Sequence, residues 1–183
     1  MPVWYLALVA TSGVLRLVEL RRSASNERAL VTAGQPAAGH YAGIVALHLA
    51  LHTLPLVEVA VFRRQARLPW LWAGVLVGTN ALRWWSMASL GTAWNARGVV
   101  PEGLQVVTTG PYRFIRHPNY VGVALDFLAL PLAGGAWLSA LVLAGLEALS
   151  LAERVREEER RLFLQPGYRT EFAGRRRFIP GVF

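Results

Sequence analysis

The chain has 183 residues, of which 54% are hydrophobic, and its mean hydropathy is positive. A composition this apolar lies beyond that of an ordinary soluble domain and indicates a membrane protein. The absence of cysteine excludes disulfides, thiolate metal sites and cysteine nucleophiles. The net charge of +8 comes from arginines between apolar runs and at the C-terminus, where we expect membrane lipid head groups or a charged cofactor rather than nucleic acid.

Three apolar runs occupy residues 1–90. The first, residues 3–20, has no basic start and no small-residue cleavage site, and Arg21 and Arg22 follow it. It is therefore interpreted as a retained helix rather than a signal peptide. The runs at residues 40–62 and 68–90 are each long enough to cross a hydrocarbon core of about 30 Å at about 1.5 Å per residue.

The second half of the chain alternates polar and apolar segments. Residues 91–118 contain no apolar run and predict a long extramembrane connection, which is often a functional segment. Residues 120–151 are too long for one crossing, and we expect Pro131, Gly134 and Gly135 to divide them into a hairpin of two shorter helices. The charged residues 153–161 predict a helix in water that precedes a turn at Pro166 and Gly167.

These segments predict an all-α, polytopic membrane protein with about five transmembrane helices, the last two forming the hairpin, and a C-terminal helix in the cytosol. Arginine counts in short flanks place the N-terminus outside, with residues 91–118 and the tail on the cytoplasmic side. The loop with Arg63, Arg64 and Arg67 opposes this orientation, but the other three segments together carry more positive charge.

Polar residues inside the apolar runs are candidates for function, because lipid makes them costly. The ordinary explanation for each is an interhelical hydrogen bond or an ion pair, such as that of Arg16 with Glu19. His48 and His52 lie one helical turn apart and could ligate a metal, but no third ligand is evident, so no metal site is expected. The polar residues of the apolar runs are Arg16, Glu19, His48, His52, Glu58, Asn80, Arg83, Asp126 and Glu147.

The densest cluster of functional side chains is GPYRFIRHPNYVG at residues 110–122. Arginine, histidine and two tyrosines converge there, at the junction of the connection and the hairpin. A structural explanation is also open, in which tyrosines anchor at the interface, arginines snorkel, Pro118 starts a helix and Gly122 permits close packing.

A second cluster is ERVREEERRL at residues 153–162, where Arg154 and Glu158 lie four apart on one helical face. Spacing alone is compatible with a solvated helix stabilised by ion pairs. Its pairing with the arginine, histidine and tyrosine cluster across a short hairpin favours a functional site.

Together, VTTGPY at residues 107–112, RHPNYVG at 116–122, the hairpin and EERRL at 158–162 resemble the isoprenylcysteine carboxyl methyltransferase family of integral membrane enzymes. That family is related more distantly to phospholipid N-methyltransferases. The resemblance covers the C-terminal half, from about Trp94 to the end. It implies one membrane domain, with three helices in residues 1–90 and a cofactor-binding catalytic half in residues 91–183.

The resemblance also implies that S-adenosyl-L-methionine binds on the cytoplasmic side of a bacterial inner membrane, while a lipophilic small-molecule substrate enters from the bilayer. By position, Arg154 and Glu158 are expected to act near the transferred methyl group. Trp94, Asn95 and Asp126 are expected to contact the substrate. The residues expected at the cofactor are Val107, Gly110, Tyr112, Arg116, His117, Tyr120 and Glu159.

The acceptor stays open at this point. A prenylcysteine-like carboxylate needs no base, and Arg154 could orient it while Glu158 fixes the guanidinium. A lipophilic phenol or pyrone, as is thought for some compact bacterial members, requires a general base, for which Glu158 and His117 are candidates. The alternatives are phospholipid N-methylation and a non-enzymatic transporter or membrane assembly subunit, although transporters usually show repeated halves.

Overall fold

The computed structural model describes residues 1–30, 41–100, 103, 105–165 and 167–179, so the predicted helix start at residue 40 and the turn residue Pro166 lie outside the described residues. Within these ranges the chain is helical and contains no named strand, which confirms the predicted all-α class for the described part. Short 3₁₀ turns occupy Gly91–Ala93 and Gly110–Arg113. The α-helices are α1 (Val3–Leu30), α2 (Tyr41–Phe62), α3 (Pro69–Leu90), α4 (Pro118–Gly134), α5 (Trp137–Leu162) and α6 (Tyr168–Phe172).

Two segments are long and apolar enough, by length and composition, to cross a membrane: Val3–Arg28 and Tyr41–Phe62. The helix α4 has 17 residues, a length of about 26 Å at the usual helical rise. The helix α5 becomes charged from Glu153 onward. The fold therefore supports a membrane protein, and the count of five crossings stays a prediction.

The helices α4 and α5 form the predicted hairpin, but its break lies later than the proline. Pro131 is inside α4 and is fully buried in the core, so packing carries the helix through it. The chain reverses at Gly135, which has a φ of 88° and donates its amide to the carbonyl of Leu132 at 3.1 Å. The backbone of Gln65 lies only 2.6 Å from where a Cβ on Gly135 would stand.

Glu58 holds the beginning of α5 against α2. Its carboxylate accepts hydrogen bonds from the amides of Leu138 at 3.2 Å and Ser139 at 2.7 Å, and from the Ser139 hydroxyl at 2.7 Å. A carboxylate at a helix N-terminus satisfies free amides and complements the helix dipole. Arg64 lies 3.8 Å from Glu58 and stacks over the Trp137 ring, which closes this end of the bundle.

A buried network of two arginines and two carboxylates joins α1, α3 and α4. Arg16 donates to Glu19 at 2.8 Å, as predicted, and to Asn80 at 2.6 Å. Arg83 donates to the same Glu19 carboxylate. Asp126 lies 3.6 Å from Arg16 and 3.8 Å from Arg83. The formal charges of these four groups cancel, so the network fixes α1 to α3 and α4 without leaving net charge in the membrane.

Two sequence features position the start of α4. The helix begins at Pro118, as predicted for a proline in the first turn. Gly122 lies against α3, where an added Cβ would stand 2.5 Å from Cγ of Arg83 and 3.2 Å from the carbonyl of Thr79. The predicted close packing at Gly122 is thereby confirmed.

The charged residues 153–162 are helical, as predicted, but they continue α5 rather than forming a separate helix. After a turn at Gly167, with a φ of 82°, the short helix α6 packs Tyr168 and Phe172 against Tyr112 and Leu162. This second, smaller core lies at the end of the bundle where α1 and α3 end and α4 begins. We call this the charged end.

We expect Gly135→Ala to lower the melting temperature of the detergent-purified protein, because the left-handed backbone and the close Gln65 backbone both oppose a side chain. Backbone strain alone costs about 1–3 kcal/mol. The matched control is Gly145→Ala in α5, where a Cβ meets no atom within 4 Å and alanine favours the helix by up to about 1 kcal/mol. Equal melting temperatures for the two variants in a thermal unfolding assay would contradict the proposed hairpin geometry.

Candidate active site

A polar cavity opens at the charged end, between the last turns of α5, the start of α4 and parts of residues 94–100 and 105–107. Its volume is about 850 Å³ including the open mouth. Its walls carry both charged and aromatic side chains. Among them are Trp94, Asn95, Val107, Tyr112, Arg116, His117, Asn119, Tyr120, Arg154, Glu158 and Tyr168.

Tyr120 lies between the two residues that were predicted to act at the methyl group. Its hydroxyl donates to the carboxylate of Glu158. The guanidinium of Arg154 lies 5.0 Å from the centre of the Tyr120 ring and donates to the carbonyl of Ala96. Among the described residues there is no ion pair between Arg154 and Glu158. The expected pair is thus connected through an aromatic ring rather than directly.

Glu159 lies directly behind the cavity wall and is 5% exposed. It accepts a hydrogen bond from Nε2 of His117 at 3.2 Å and pairs with Nη1 of Arg116 at 3.0 Å and Nη2 of Arg177 at 2.7 Å. Burial alone raises the pKa of this carboxyl, but the hydrogen bonds from His117 and Arg177 outweigh it and lower the pKa to about 2. The ionised carboxylate therefore holds His117 and Arg116 on the wall.

The C-terminal tail fastens the same segment through its backbone. The amides of Arg116 and His117 donate to the carbonyls of Arg176 at 2.9 Å and Arg177 at 3.0 Å. Arg175 donates to the carbonyl of Tyr112 at 2.7 Å. The basic tail, which the sequence suggested for contacts with lipid or cofactor, thus supports the cavity from outside. In the sequence, only the acidic residues 157–159 indicated that the basic tail would pair with this part of the chain.

The hydroxyl groups of two tyrosines on the cavity wall have raised pKa values. Burial, and secondarily the charge of Glu158, raises the pKa of Tyr112 above its ordinary value. The pKa of Tyr168 is raised for the same reasons. Both hydroxyls are therefore protonated at neutral pH and act as neutral hydrogen-bonding groups.

Ala93, Trp94 and Asn95 lie on the remaining wall, and α1 holds the segment 91–97 to which they belong. The side-chain amide of Asn26 donates hydrogen bonds to the carbonyls of Gly91 at 3.2 Å and Trp94 at 2.6 Å. The amide of Ala96 donates to the hydroxyl of Ser23 at 2.8 Å. These contacts place Trp94 and Asn95 on the cavity wall.

A second cavity separates α1 from α2. It is mostly apolar and has a volume of about 1280 Å³ including its open side. Leu17 and Leu49 line it and are 60% and 64% exposed, so the cavity opens toward the lipid-facing surface. The residues that line both cavities are Trp94, Asn119, Tyr120 and Arg154. We call these four residues the junction.

The structure gathers most of the predicted site residues on the polar cavity. Gly110 lies off its wall, where an added Cβ would meet Ser89. Glu159 supports the wall from behind, and Asp126 belongs to the buried ion network. The sequence reasoning did not single out Asn119, although it stands inside the RHPNY motif. The predicted residues on the wall are Trp94, Asn95, Val107, Tyr112, Arg116, His117, Tyr120, Arg154 and Glu158.

The histidine pair of α2 is held by backbone hydrogen bonds. Nδ1 of His48 lies 2.9 Å from the carbonyl of Ile44, and Nδ1 of His52 lies 2.7 Å from the carbonyl of His48. Both imidazoles are therefore held by backbone hydrogen bonds. Within the described ranges, no group of three histidine, aspartate or glutamate side chains could hold a metal ion.

The described part of the chain is helical, with two segments long and apolar enough to cross a membrane, and a polar cavity at one end meets an apolar cavity that is open on one side. The family model described as "Isoprenylcysteine carboxyl methyltransferase (ICMT) family" matches residues 72–164, which include the RHPNYVG motif and Glu158. The chain is also similar to the "Uncharacterized protein YpbQ" of Bacillus subtilis (strain 168), with 31% identity over 158 residues, covering 85% of this chain and 94% of that protein. The chain belongs to the isoprenylcysteine carboxyl methyltransferase family, and this membership indicates a membrane methyltransferase.

We expect Glu159→Gln to lower the melting temperature at neutral pH by roughly 10 °C, because it breaks a buried set of ion pairs. The pKa of Glu159 is lowered to about 2 in the folded protein. Its ionised carboxylate therefore contributes fully to the stability of the folded protein above the unfolded pKa of about 4.3, and this contribution is lost as the pH falls toward about 2. The gap between variant and wild type should therefore close across that window. Thermal unfolding in detergent at several pH values measures it.

The control for this series is Glu171→Gln, because Glu171 is a 51% exposed carboxylate 3.8 Å from Arg175. We expect it to change the melting temperature little at any pH. A Glu159→Gln deficit that stays constant down to pH 2 would show that the carboxylate charge is not what stabilises the wall.

Proposed function

We propose that this protein is a multi-pass membrane methyltransferase that uses S-adenosyl-L-methionine to methylate an oxygen atom of a small lipophilic acceptor. The observation that carries the proposal is the junction, at which a polar cavity and an apolar cavity share Trp94, Asn119, Tyr120 and Arg154. A water-soluble methyl donor and a lipid-soluble acceptor need such separate compartments with one common wall.

The polar cavity fits the proposed cofactor. Two polar atoms of its wall residues, Nε of Arg116 and Oδ1 of Asn119, are buried and have no hydrogen-bond partner among the described residues. A zwitterionic amino-acid group offers an acceptor for the first and a donor for the second. When bound, S-adenosyl-L-methionine supplies a methyl group on a positively charged sulfur. An aromatic ring attracts such a cation, and Trp94 supplies one at the junction, where the Tyr120 ring is already occupied by Arg154.

The junction residues would orient the acceptor. Methyl transfer is an in-line displacement in which the acceptor oxygen bonds to the methyl carbon while the sulfur–carbon bond breaks and the sulfur keeps the electron pair. Positioning and exclusion of water supply most of what the protein can contribute. Trp94 and Tyr120 are 5% and 6% exposed, so the junction is largely closed to water.

The charges at the junction favour an oxygen acceptor over the amine of a phospholipid. Arg154 attracts a carboxylate or phenolate and repels an ammonium group. If the acceptor is a phenol or pyrone enol, its proton must go to a base. Glu158 is our candidate, because its carboxylate is hydrogen-bonded to the junction residue Tyr120 and keeps further lone pairs, whereas His117 is paired with Glu159 away from the junction. A prenylcysteine-like carboxylate would need no base.

The wider arrangement that we propose has five crossings, with the charged end facing the cytoplasm of a bacterial cell and the gap between α1 and α2 open to the inner membrane. Residues 1–90 would then supply most of the acceptor side, and residues 91–183 the cofactor side, of one domain. The exposed apolar residues on the gap support lateral access for a lipophilic substrate.

The first test is calorimetric binding of S-adenosylhomocysteine to the detergent-purified protein. We expect saturable binding with a Kd of about 1–100 μM, a free energy of about −5.5 to −8 kcal/mol. His117→Ala should weaken it about tenfold, because the imidazole lies on the wall and orders it. Wild-type protein that is folded by circular dichroism but binds no S-adenosylhomocysteine would exclude the proposed cofactor.

A second test separates binding from transfer. Glu158→Gln should bind S-adenosylhomocysteine about as well as wild type, yet lose at least about 100-fold in the rate of methyl transfer to phenols, the usual contribution of a general base. Glu157→Gln is the matched control, since Glu157 pairs with Arg160 and Arg161 and lies off both cavity walls. Transfer assays with labelled cofactor would exclude the role of Glu158 if the two variants were equally active.

A further inference from the structure

The apolar cavity contains one histidine with a nitrogen that is not used. Nδ1 of His48 lies 2.9 Å from the carbonyl of Ile44. A carbonyl oxygen only accepts hydrogen bonds, so Nδ1 carries the proton and the neutral imidazole presents Nε2 as an acceptor. Among the described residues, Nε2 of His48 has no hydrogen-bond partner, and the ring lines the cavity between α1 and α2.

One histidine and three charged residues on the same wall are engaged within the protein. His52 uses both ring nitrogens, since its Nδ1 donates to the carbonyl of His48 and its Nε2 accepts from the hydroxyl of Ser12 at 3.2 Å. The charges of Arg16, Glu19 and Arg83 are paired in the buried network. Oδ1 of Asn119 at the junction is also without a partner among the described residues, so the wall presents one unpaired acceptor at the junction and another at His48.

His48 lies deeper in the membrane than the junction. Its ring meets the ring of Phe127 edge to face, with centroids 5.2 Å apart. Phe127 is seven residues after Tyr120 on α4, which is a distance of about 10 Å along a helix. Because Tyr120 belongs to the junction, the ring of His48 lies about 10 Å from the junction along the helix axis.

An unpaired acceptor in apolar surroundings is unfavourable, and a hydrocarbon chain lying across it would leave it unpaired. Resting on the proposed function, we propose that the acceptor carries a second polar group, a hydroxyl or N–H donor about 10 Å from the methylated oxygen, and that Nε2 of His48 accepts its hydrogen bond. His48 is thus a substrate-binding residue that selects amphipathic acceptors over simple alkyl ones.

A series of 4-(ω-hydroxyalkyl)phenols with two to eight methylenes tests this spacing, against 4-alkylphenols of the same length. For the wild-type protein, kcat/KM for each hydroxyl-ended compound is divided by kcat/KM for the methyl-ended compound of the same length. We expect this ratio to have a sharp maximum at one chain length. The peak should reach about tenfold, the effect of one hydrogen bond. His48→Phe should flatten the series, and His48→Gln, which keeps an acceptor, should restore part of the peak.

Leu54→Phe controls for an added ring on α2, because Leu54 is 46% exposed and lines neither cavity. It should show the wild-type series. A wild type that methylates phenols with no preferred length for the hydroxyl would overturn the inference while leaving the methyltransferase intact.

A spectroscopic readout covers the case in which phenols are not substrates. The histidines are labelled with ¹⁵N in protein saturated with S-adenosylhomocysteine, and the Nε2 resonance of His48 is followed as ligand is added. We expect the hydroxyl-ended compound of best length to shift it and the methyl-ended compound to leave it in place. Equal shifts with both compounds would contradict a hydrogen bond at His48. Failure of S-adenosylhomocysteine to bind at all would instead contradict the proposed function.

Discussion

The buried network of Arg16, Glu19, Arg83 and Asp126 is the constraint on which the rest of the structure depends. Unpaired charges that are buried in a membrane protein are too costly. The helix α1 must therefore keep the orientation and the position along the bundle at which Arg16 and Glu19 pair with the charges of α3 and α4. This constraint explains how α1 can stand away from α2. The gap between them, which forms the apolar cavity, removes packing that would otherwise hold α1 in place. Ion pairs to α3 and α4 replace that packing.

Fixing α1 in this way also builds the site at the charged end. The last turns of α1 hold residues 91–97 through Ser23 and Asn26. Those residues in turn supply Trp94 and the carbonyl of Ala96, which fixes Arg154. On the opposite side the C-terminal tail holds the RHPNY segment through Arg177 and Glu159. The polar cavity is therefore stabilised by contacts from α1 and from the C-terminal tail.

The sequence was sufficient for the elements and for most of the site, because both depend on local patterns. Apolar runs gave the helices, Pro118 gave the start of α4, and the resemblance of the motifs to a known family gave most of the residues on the cavity wall. Contacts between distant residues were not accessible in this way. Helical spacing shows that Arg154 and Glu158 share a face, but it cannot show that Tyr120 inserts between them, since that depends on the rotation of α4 against α5. Pro131 was assigned to the break for a similar reason, because its burial in the core is a tertiary effect that outweighs local propensity.

The continuity of α5 has a consequence for chemistry at the junction. The helix α5 is the second arm of the hairpin and runs without a break from the start that Glu58 caps to Glu158. The positions of Arg154 and Glu158 along the bundle are therefore fixed by the packing of a helix and not by a loop. Leu151 and Val155 pack beneath Tyr120 and keep that register. Because the junction is nearly closed to water, the charges of Arg154 and Glu158 act there through a medium of low dielectric, in which a misplaced charge is costly. A rigid helix therefore suits this position better than a mobile segment, and motion needed for substrate access is left to the loosely packed gap between α1 and α2.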